Sequence, residues 1–464
     1  MKRDAIDLGT LNVSRLFRKY FIPTLFGMLS MSAVTAIDGI FVGHGIGSDG
    51  LAAVNICVPL LMVFTGIGLM VGAGVSVVAS MQLSRGKLKV ARINVAQALL
   101  FVTAVAILPS VLMLAWPSAT VRLLGASGSL VPLAREYLLW FIPSLTLQVW
   151  SSVCLFVIRL DGAPKLAMVC NLVSAISTVV FGWLFVFPLG LGLTGAALAA
   201  TLGLFIGSVA SLVYVLGFAG KLRPYRLKWS VKSLRLSVRN IGYQCRIGSS
   251  ALLTESTMAM LMFVGNHVFM QCLGDDGVGA FSIACYYTPF VFMVGNAIAQ
   301  SAQPIISYNF GLGRGDRVSA TERIALFTSV ACGLVITAAF ALFPNVLVGL
   351  FISTDNPAAR LAIDGFPYFS TAFVFFILNL SVIGYYQSIE RVKPATVLAL
   401  LRGFIFLMPS FYLLPRFMGV HGIWFALCLS ELLTTVVIAV AYGIGMARRR
   451  FGGNAVTVRR YGEN

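Results

Sequence analysis

The chain has 464 residues, 58% hydrophobic and only 11% charged, with a mean hydropathy of +0.91. Soluble domains carry roughly 25% charged residues, so this composition excludes an ordinary soluble fold and makes lipid the main solvent. Long apolar runs, rather than ten-residue alternating segments, imply an all-α integral membrane protein.

Hydropathy predicts twelve transmembrane spans, at 17–41, 51–80, 93–115, 137–158, 166–187, 194–218, 247–270, 279–303, 321–344, 366–387, 395–414 and 421–446. The first span is too long for a cleavable signal peptide and lacks a small-residue cleavage site. It contains an acid, Asp38, in "TAIDGIFVG". An acid in the bilayer costs about 2.5 kcal/mol or more, so it faces protein or water. Its helical face carries Gly27, Met31, Thr35 and Val42, side chains small or adaptable enough to line a cavity. Asp38 is therefore a candidate cation-coupling residue, able to hold a proton or cation on one side and release it on the other. A purely structural hydrogen-bonded acid is the alternative. Pro23, earlier on the same span, removes a backbone donor and is a candidate hinge, or a static kink.

The next spans add small-residue pairs such as Gly68/Gly72 and Gly203/Gly207, which suit helix packing. Gln148 lies in the fourth span. Residues 1–219 make an N-terminal six-helix lobe, and 220–246, with eight basic residues and Pro224, a linker. A C-terminal lobe (247–446) and a basic tail (447–464) follow. The seventh span carries Glu255, a second candidate for cation coupling, on a face with Met258, Met262 and Asn266. Gln300 lies in the eighth. Met31, Thr35, Gln148, Met258, Met262, Asn266 and Gln300 are candidate lining of a substrate cavity, although amides such as Gln148 and Gln300 also serve to bridge helices. Arg402 and Glu431 read as a structural pair, and His267 and His421 as interfacial.

Of 34 Lys and Arg, 29 fall in the N-terminal tail and alternate connections that share its side. Arg122, Arg135, Arg360 and Arg416 fall on the other side, and Arg402 inside a span. The positive-inside rule then puts both termini in the cytoplasm and explains the +18 charge without nucleic acid. This count assigns Arg159 to a cytoplasmic connection, 159–165. The eight cysteines show no CxxC or ligand spacing and read as small hydrophobes. No GxxxxGK[ST] occurs, and no His, Cys or carboxylate constellation suggests a membrane enzyme or a metal.

The two halves repeat. Gly47/Gly274, Gly195/Gly422 and Ala199/Ala426 share an offset of 227 residues. Each half has an even number of spans, so the repeat is parallel, as in transporters whose substrate site lies between the halves. Glu255 corresponds to Met28 and Asp38 to Gly265, so the acids are not symmetry mates and the lobes differ in role.

"IDGIFVGHGIGSDGLAAVNICVP", "GLMVGAGVSVVASMQLSRGK", "GLTGAALAAT" and "AQSAQPIISYNFGLGRGDRV", in this order and spacing, resemble the multidrug and toxic compound extrusion (MATE) family, nearest its bacterial branch. The resemblance covers nearly the whole chain. It implies two six-helix lobes around a central cavity. It also implies export of amphipathic, often cationic drugs against inward H+ or Na+, with no other cofactor and no catalysis. A monomer in the bacterial plasma membrane follows from it. Asp38 matches the family's first-helix coupling acid, Pro23 its bend-associated proline and Glu255 its seventh-helix acid. Fifth-span positions that often hold Asn and Asp are Ser177 and Phe181 here, which strips partners from Asp38. The rival transport reading is a flippase for lipid-linked precursors, which would want a basic cavity. The rival of another class is an integral-membrane enzyme.

Overall fold

The computed structural model describes residues 8–451, apart from residues 47, 127, 129, 226, 228 and 229. Among the described residues the regular structure is all helical. The first half contains α1 (Val13–Gly45), α2 (Ser48–Ser84), α3 (Leu88–Ala115), short α4 (Pro117–Leu123), α5 (Leu130–Leu160), α6 (Pro164–Val186) and α7 (Gly192–Val213). The second contains α8 (Val231–Gly311), α9 (Gly315–Leu342), short α10 (Pro344–Gly349), α11 (Pro357–Ser370), α12 (Ala372–Ser388), α13 (Val392–Leu400) and α14 (Leu407–Phe451).

Local chemistry fixes several boundaries. Asn12 caps α1 by accepting from Ser14 N at 3.0 Å, and Ser230 caps α8 by accepting from Ser233 N at 3.2 Å. Pro357 opens α11 behind the Asn356 cap. α1 continues as one helix through buried Pro23.

Ten helical stretches are long and apolar enough to cross a membrane, and α11 with α12, bent by 45°, makes an eleventh. One stretch, Val392–Ile444, has 53 residues. At 1.5 Å per residue it measures about 80 Å, more than twice a bilayer core. It turns at Gly419, where φ is 59° and only glycine sits easily. α8 turns in the same way at Gly274, with φ 64°. Each turned helix crosses twice, and the spans number twelve, in two six-helix lobes.

Two boundaries differ from the sequence reading. The tenth span does not begin at 366. Its helix begins at Pro357 and bends at Thr371, because Asn356-Pro357 supplies a start signal ahead of the most apolar residues. Arg159 is not in a connection. It belongs to α5, which runs to Leu160.

The repeat is visible in the backbone. Gly86 and Gly313 have φ of 71° and 73°, and Gly192 and Gly419 have 55° and 59°, each pair at the 227-residue offset. Gly162 (φ 90°) corresponds, one residue further on, to Glu390 (φ 57°), the one non-glycine with positive φ among the described residues. Gly47, partner of Gly274, lies outside the described residues.

In the first lobe α6 packs on α1 and α7, and α5 packs on α2 and α7. In the second, α12 packs on α8, α9 and α14. Between lobes, α1 and α2 run along α8. The connections α2–α3, α7–α8 and α8–α9 gather with residues 8–11 at one end, called here the basic end. There the lobes are tightly joined. Arg314 Nη1 donates to Gly9 O and Arg317 Nη2 to Leu11 O, both at 2.6 Å. Asn309 Nδ2 donates to Leu8 O at 3.0 Å, and Gln303 Nε2 to Ala73 O at 3.4 Å. Gly74 lies so close to the Gln244 carbonyl that a side chain there has no room.

Candidate functional site

Hydrogen bonds and close glycine approaches between the lobes lie, among the described residues, at the level of Gly66 of α2 or nearer the basic end. Gly66 itself abuts Leu252, and a side chain at 66 would begin 3.7 Å from Glu255 Cβ. Beyond that level the lobes part. Thr35 and Asn266 are exposed there, and nothing lies within 4 Å of Gly39 or Gly43. The interface is a cleft, closed at its basic end and open toward the other.

At the floor of the cleft lies a partly open cavity of about 110 Å³. α1 contributes Met28 and Met31, α5 contributes Gln148 and Arg159, and α8 contributes Glu255 and Gln300. Both lobes therefore wall one space, and most of the wall comes from the first. Glu255 Oε2 has no hydrogen-bond partner. A carboxylate with a buried, unpartnered oxygen where two lobes meet is chemically suited to take a proton, a metal cation or an ammonium group.

Asp38 occupies a different place. Its Oδ1 lies 3.8 Å from where a side chain at Gly182 of α6 would begin, and it is within electrostatic reach of the Tyr137 hydroxyl. It sits inside the first lobe, seven residues beyond Met31 on α1, or about 10 Å along the axis. Phe41 of α1 packs on the same glycine, and Phe181 of α6 stacks on Phe185 at 5.5 Å.

The remaining expected residues divide. Met31, Gln148, Glu255 and Gln300 share the cavity wall. Thr35 lies further out and donates to Met31 O at 3.4 Å. Met258 does not face the cavity: it is 4% exposed within the main apolar core. Met262 is half-buried and Asn266 exposed, both outward of Glu255 on its helix. Pro23 is buried near the basic end of α1. Arg402 and Glu431 pair at 2.7 Å inside the second lobe, away from the cavity wall.

Sequence reasoning did not single out Arg159. It is 4% exposed and lines the cavity. Its Nη1 donates to Gln300 Oε1 across the lobe interface at 2.6 Å, while Nε has no partner. Tyr20 Oη holds the Arg159 carbonyl at 3.1 Å, and Cζ lies 5.6 Å from the Phe156 ring. The available signal was Pro164. It starts α6, so α5 can extend past the apolar run and carry Arg159 in its last turn.

The MatE family model matches residues 23–184 and 247–413, the first five spans of each lobe. The multidrug export protein MepA of Staphylococcus aureus is 20% identical over 421 residues, covering 91% of each chain. Two solved structures share the fold. One is an outward-facing multidrug resistance MATE family transporter of the MOP superfamily, at 19% identity and TM-score 0.87. The other is a MOP superfamily transporter from Pyrococcus furiosus, at 18% identity and TM-score 0.86. Each alignment covers 96% of this chain and 98% of the other. With twelve spans in two repeated lobes around a shared cavity, and a family match over both, this chain belongs to the MATE family of multidrug efflux transporters.

Proposed function

We propose that this chain exports amphipathic, often cationic compounds from the bacterial cytoplasm by exchange against inward H+ or Na+. The observation that carries the reading is unpaired Glu255 on a cavity walled by both lobes and closed at one end only. The excess of Lys and Arg at that end supports placing it, with both termini, in the cytoplasm. The conformation then faces outward. The MepA relative's name as a multidrug export protein supports drugs as cargo.

The geometry supports alternating access. With the lobes open inward, the charged carboxylate of Glu255 favours entry of a lipophilic cation. The lobes rock about their shared interface, and the basic-end contacts close. A proton or Na+ from outside neutralises the acids, the drug loses its counter-charge, and it leaves. Each entering monovalent ion supplies about 2.3 kcal/mol per 100 mV of membrane potential. Asp38, separate from the cavity, acts through α1, with Pro23 as the hinge. A flippase for lipid-linked precursors would want several cations here, and Arg159 is the single cation on the cavity wall among the described residues.

The test is ethidium transport in proteoliposomes under separately imposed proton and sodium gradients. One gradient should drive accumulation in wild type, and Asp38→Asn or Glu255→Gln should abolish the coupling. Failure of both gradients to move the dye would refute the antiport reading.

A further inference from the structure

We infer that the cavity is built for zwitterionic amphiphiles, with Arg159 binding an anionic group, a carboxylate for example, and Glu255 the cationic one. The inference rests on the export reading and names its substrate class more narrowly.

A guanidinium buried without an acid costs several kcal/mol unless something compensates it. Arg159 is 4% exposed, and no ion pair joins it to Glu255 or to another acid among the described residues. Its compensation is a neutral amide oxygen, Gln300 Oε1, and the face of Phe156. Nε is left without a partner. Nη1 and Nη2 form a planar fork that suits a bidentate carboxylate, and Gln300 holds one of its two prongs.

Position agrees. Side chains on a helix tilt toward its N-terminus. α5 ends at the basic end, so Arg159 reaches back toward the middle of the membrane, into the wall that Glu255 shares. The two opposite charges border one space without neutralising each other. A substrate carrying both would satisfy each at once.

The Arg159–Gln300 bond also joins the lobes. In this closed-floor state Gln300 occupies the guanidinium. When the lobes separate at the basic end, that bond must break, and Arg159 becomes free to take an anion as the cavity opens to the cytoplasm. Gln300 then competes with the substrate's anionic group, and its return favours release.

The test compares two dyes that differ only at the acid, rhodamine 110 and its methyl ester, rhodamine 123. Binding to the detergent-solubilised full chain is read by fluorescence anisotropy at a pH where the free acid is ionised. Wild type should bind rhodamine 110 at least about tenfold more tightly than the ester. Arg159→Met should erase that preference, Arg159→Lys retain part of it, and Gln300→Met increase it. If Arg159 is merely a tie between lobes, Arg159→Met and Gln300→Met shift the ratio in the same direction, which overturns the inference. A wild-type preference for the ester, no preference, or no binding of either dye overturns it as well. The ethidium experiment is independent: export can stand while this preference fails. Should Arg159→Met misfold, wild type and Gln300→Met still decide the matter: a wild-type preference for the acid that Gln300→Met lowers or leaves unchanged overturns the inference.

Discussion

Glu431→Met probes whether a charge inside the membrane is structural or part of transport. Arg402 and Glu431 are both fully buried, joined from Nε at 3.0 Å and Nη2 at 2.7 Å to a single carboxylate oxygen. The other oxygen accepts from Asn379 Nδ2 at 2.7 Å. The guanidinium carbon lies 4.3 Å from the Phe376 ring centre, and Nη1 has no partner. Methionine keeps the length and leaves Arg402 charged, with two more donors stripped. Removing one member of a buried pair costs about 3–5 kcal/mol. Asn379 keeps its bond to the Glu431 carbonyl at 2.9 Å, so the loss stays near the lower value. The double variant Arg402→Met/Glu431→Met removes both charges and should recover most of it. Equilibrium unfolding in mixed micelles, followed by the fluorescence of buried Trp424 in the same lobe, reads the change. Protein that survives should transport with unchanged ion coupling, since neither residue borders the cavity. A single variant within about 1 kcal/mol of the parent would refute the reasoning, as would a double variant no better than the single.

Two further outcomes follow from the contacts at the basic end. Gly74→Val places a branched side chain against the Gln244 carbonyl and forces α2 from α8. Cys245, beside it, should then alkylate severalfold faster by mass spectrometry, and an unchanged rate would mean the seal does not depend on this approach. Asp161 accepts from Gly220 N at 2.9 Å, Lys221 N at 2.8 Å and Leu222 N at 3.1 Å, and so pins the start of the connection between lobes. Bonds to a charged acceptor contribute about 1.5–3 kcal/mol each. Asp161→Ala should therefore hasten tryptic cleavage at Lys221 at least tenfold, with equal cleavage counting against the anchoring role.

The spans and the repeat were legible because both rest on composition and turn chemistry. Apolar length reports the bilayer, and Gly274 and Gly419 stand where the backbone needs a left-handed turn. Arg159 was not legible because counting charges between apolar runs assigns a residue by its Cα level. A long side chain in the last turn of a helix points back by about a turn, so the charge and the Cα lie at different depths. Met258 lies in the core for a related reason: a helical face says which residues line up, but not which neighbours they meet. Asp38 and Glu255 stood out individually, yet their separation into two compartments depends on α6 and α2, which are far away in sequence.

That separation has a physical source in the unequal packing of the two lobes. Glu255 and its counterpart Met28 both border the cavity, so the repeat places equivalent positions on one wall and lets one carry charge. The counterpart of Asp38 is Gly265, and a side chain there would run into Phe281. Phe281 stacks on Phe269 at 4.6 Å, and Phe269 meets Trp424 edge-on at 4.8 Å. The second lobe fills with aromatic rings the region where the first lobe holds a carboxylate beside a glycine. A charged side chain at Gly265 would have to displace that cluster, whereas at Asp38 the equivalent volume is already free. An acid is therefore tolerated at this depth in one lobe only, and the ion chemistry of the interior is asymmetric although the backbone frame repeats.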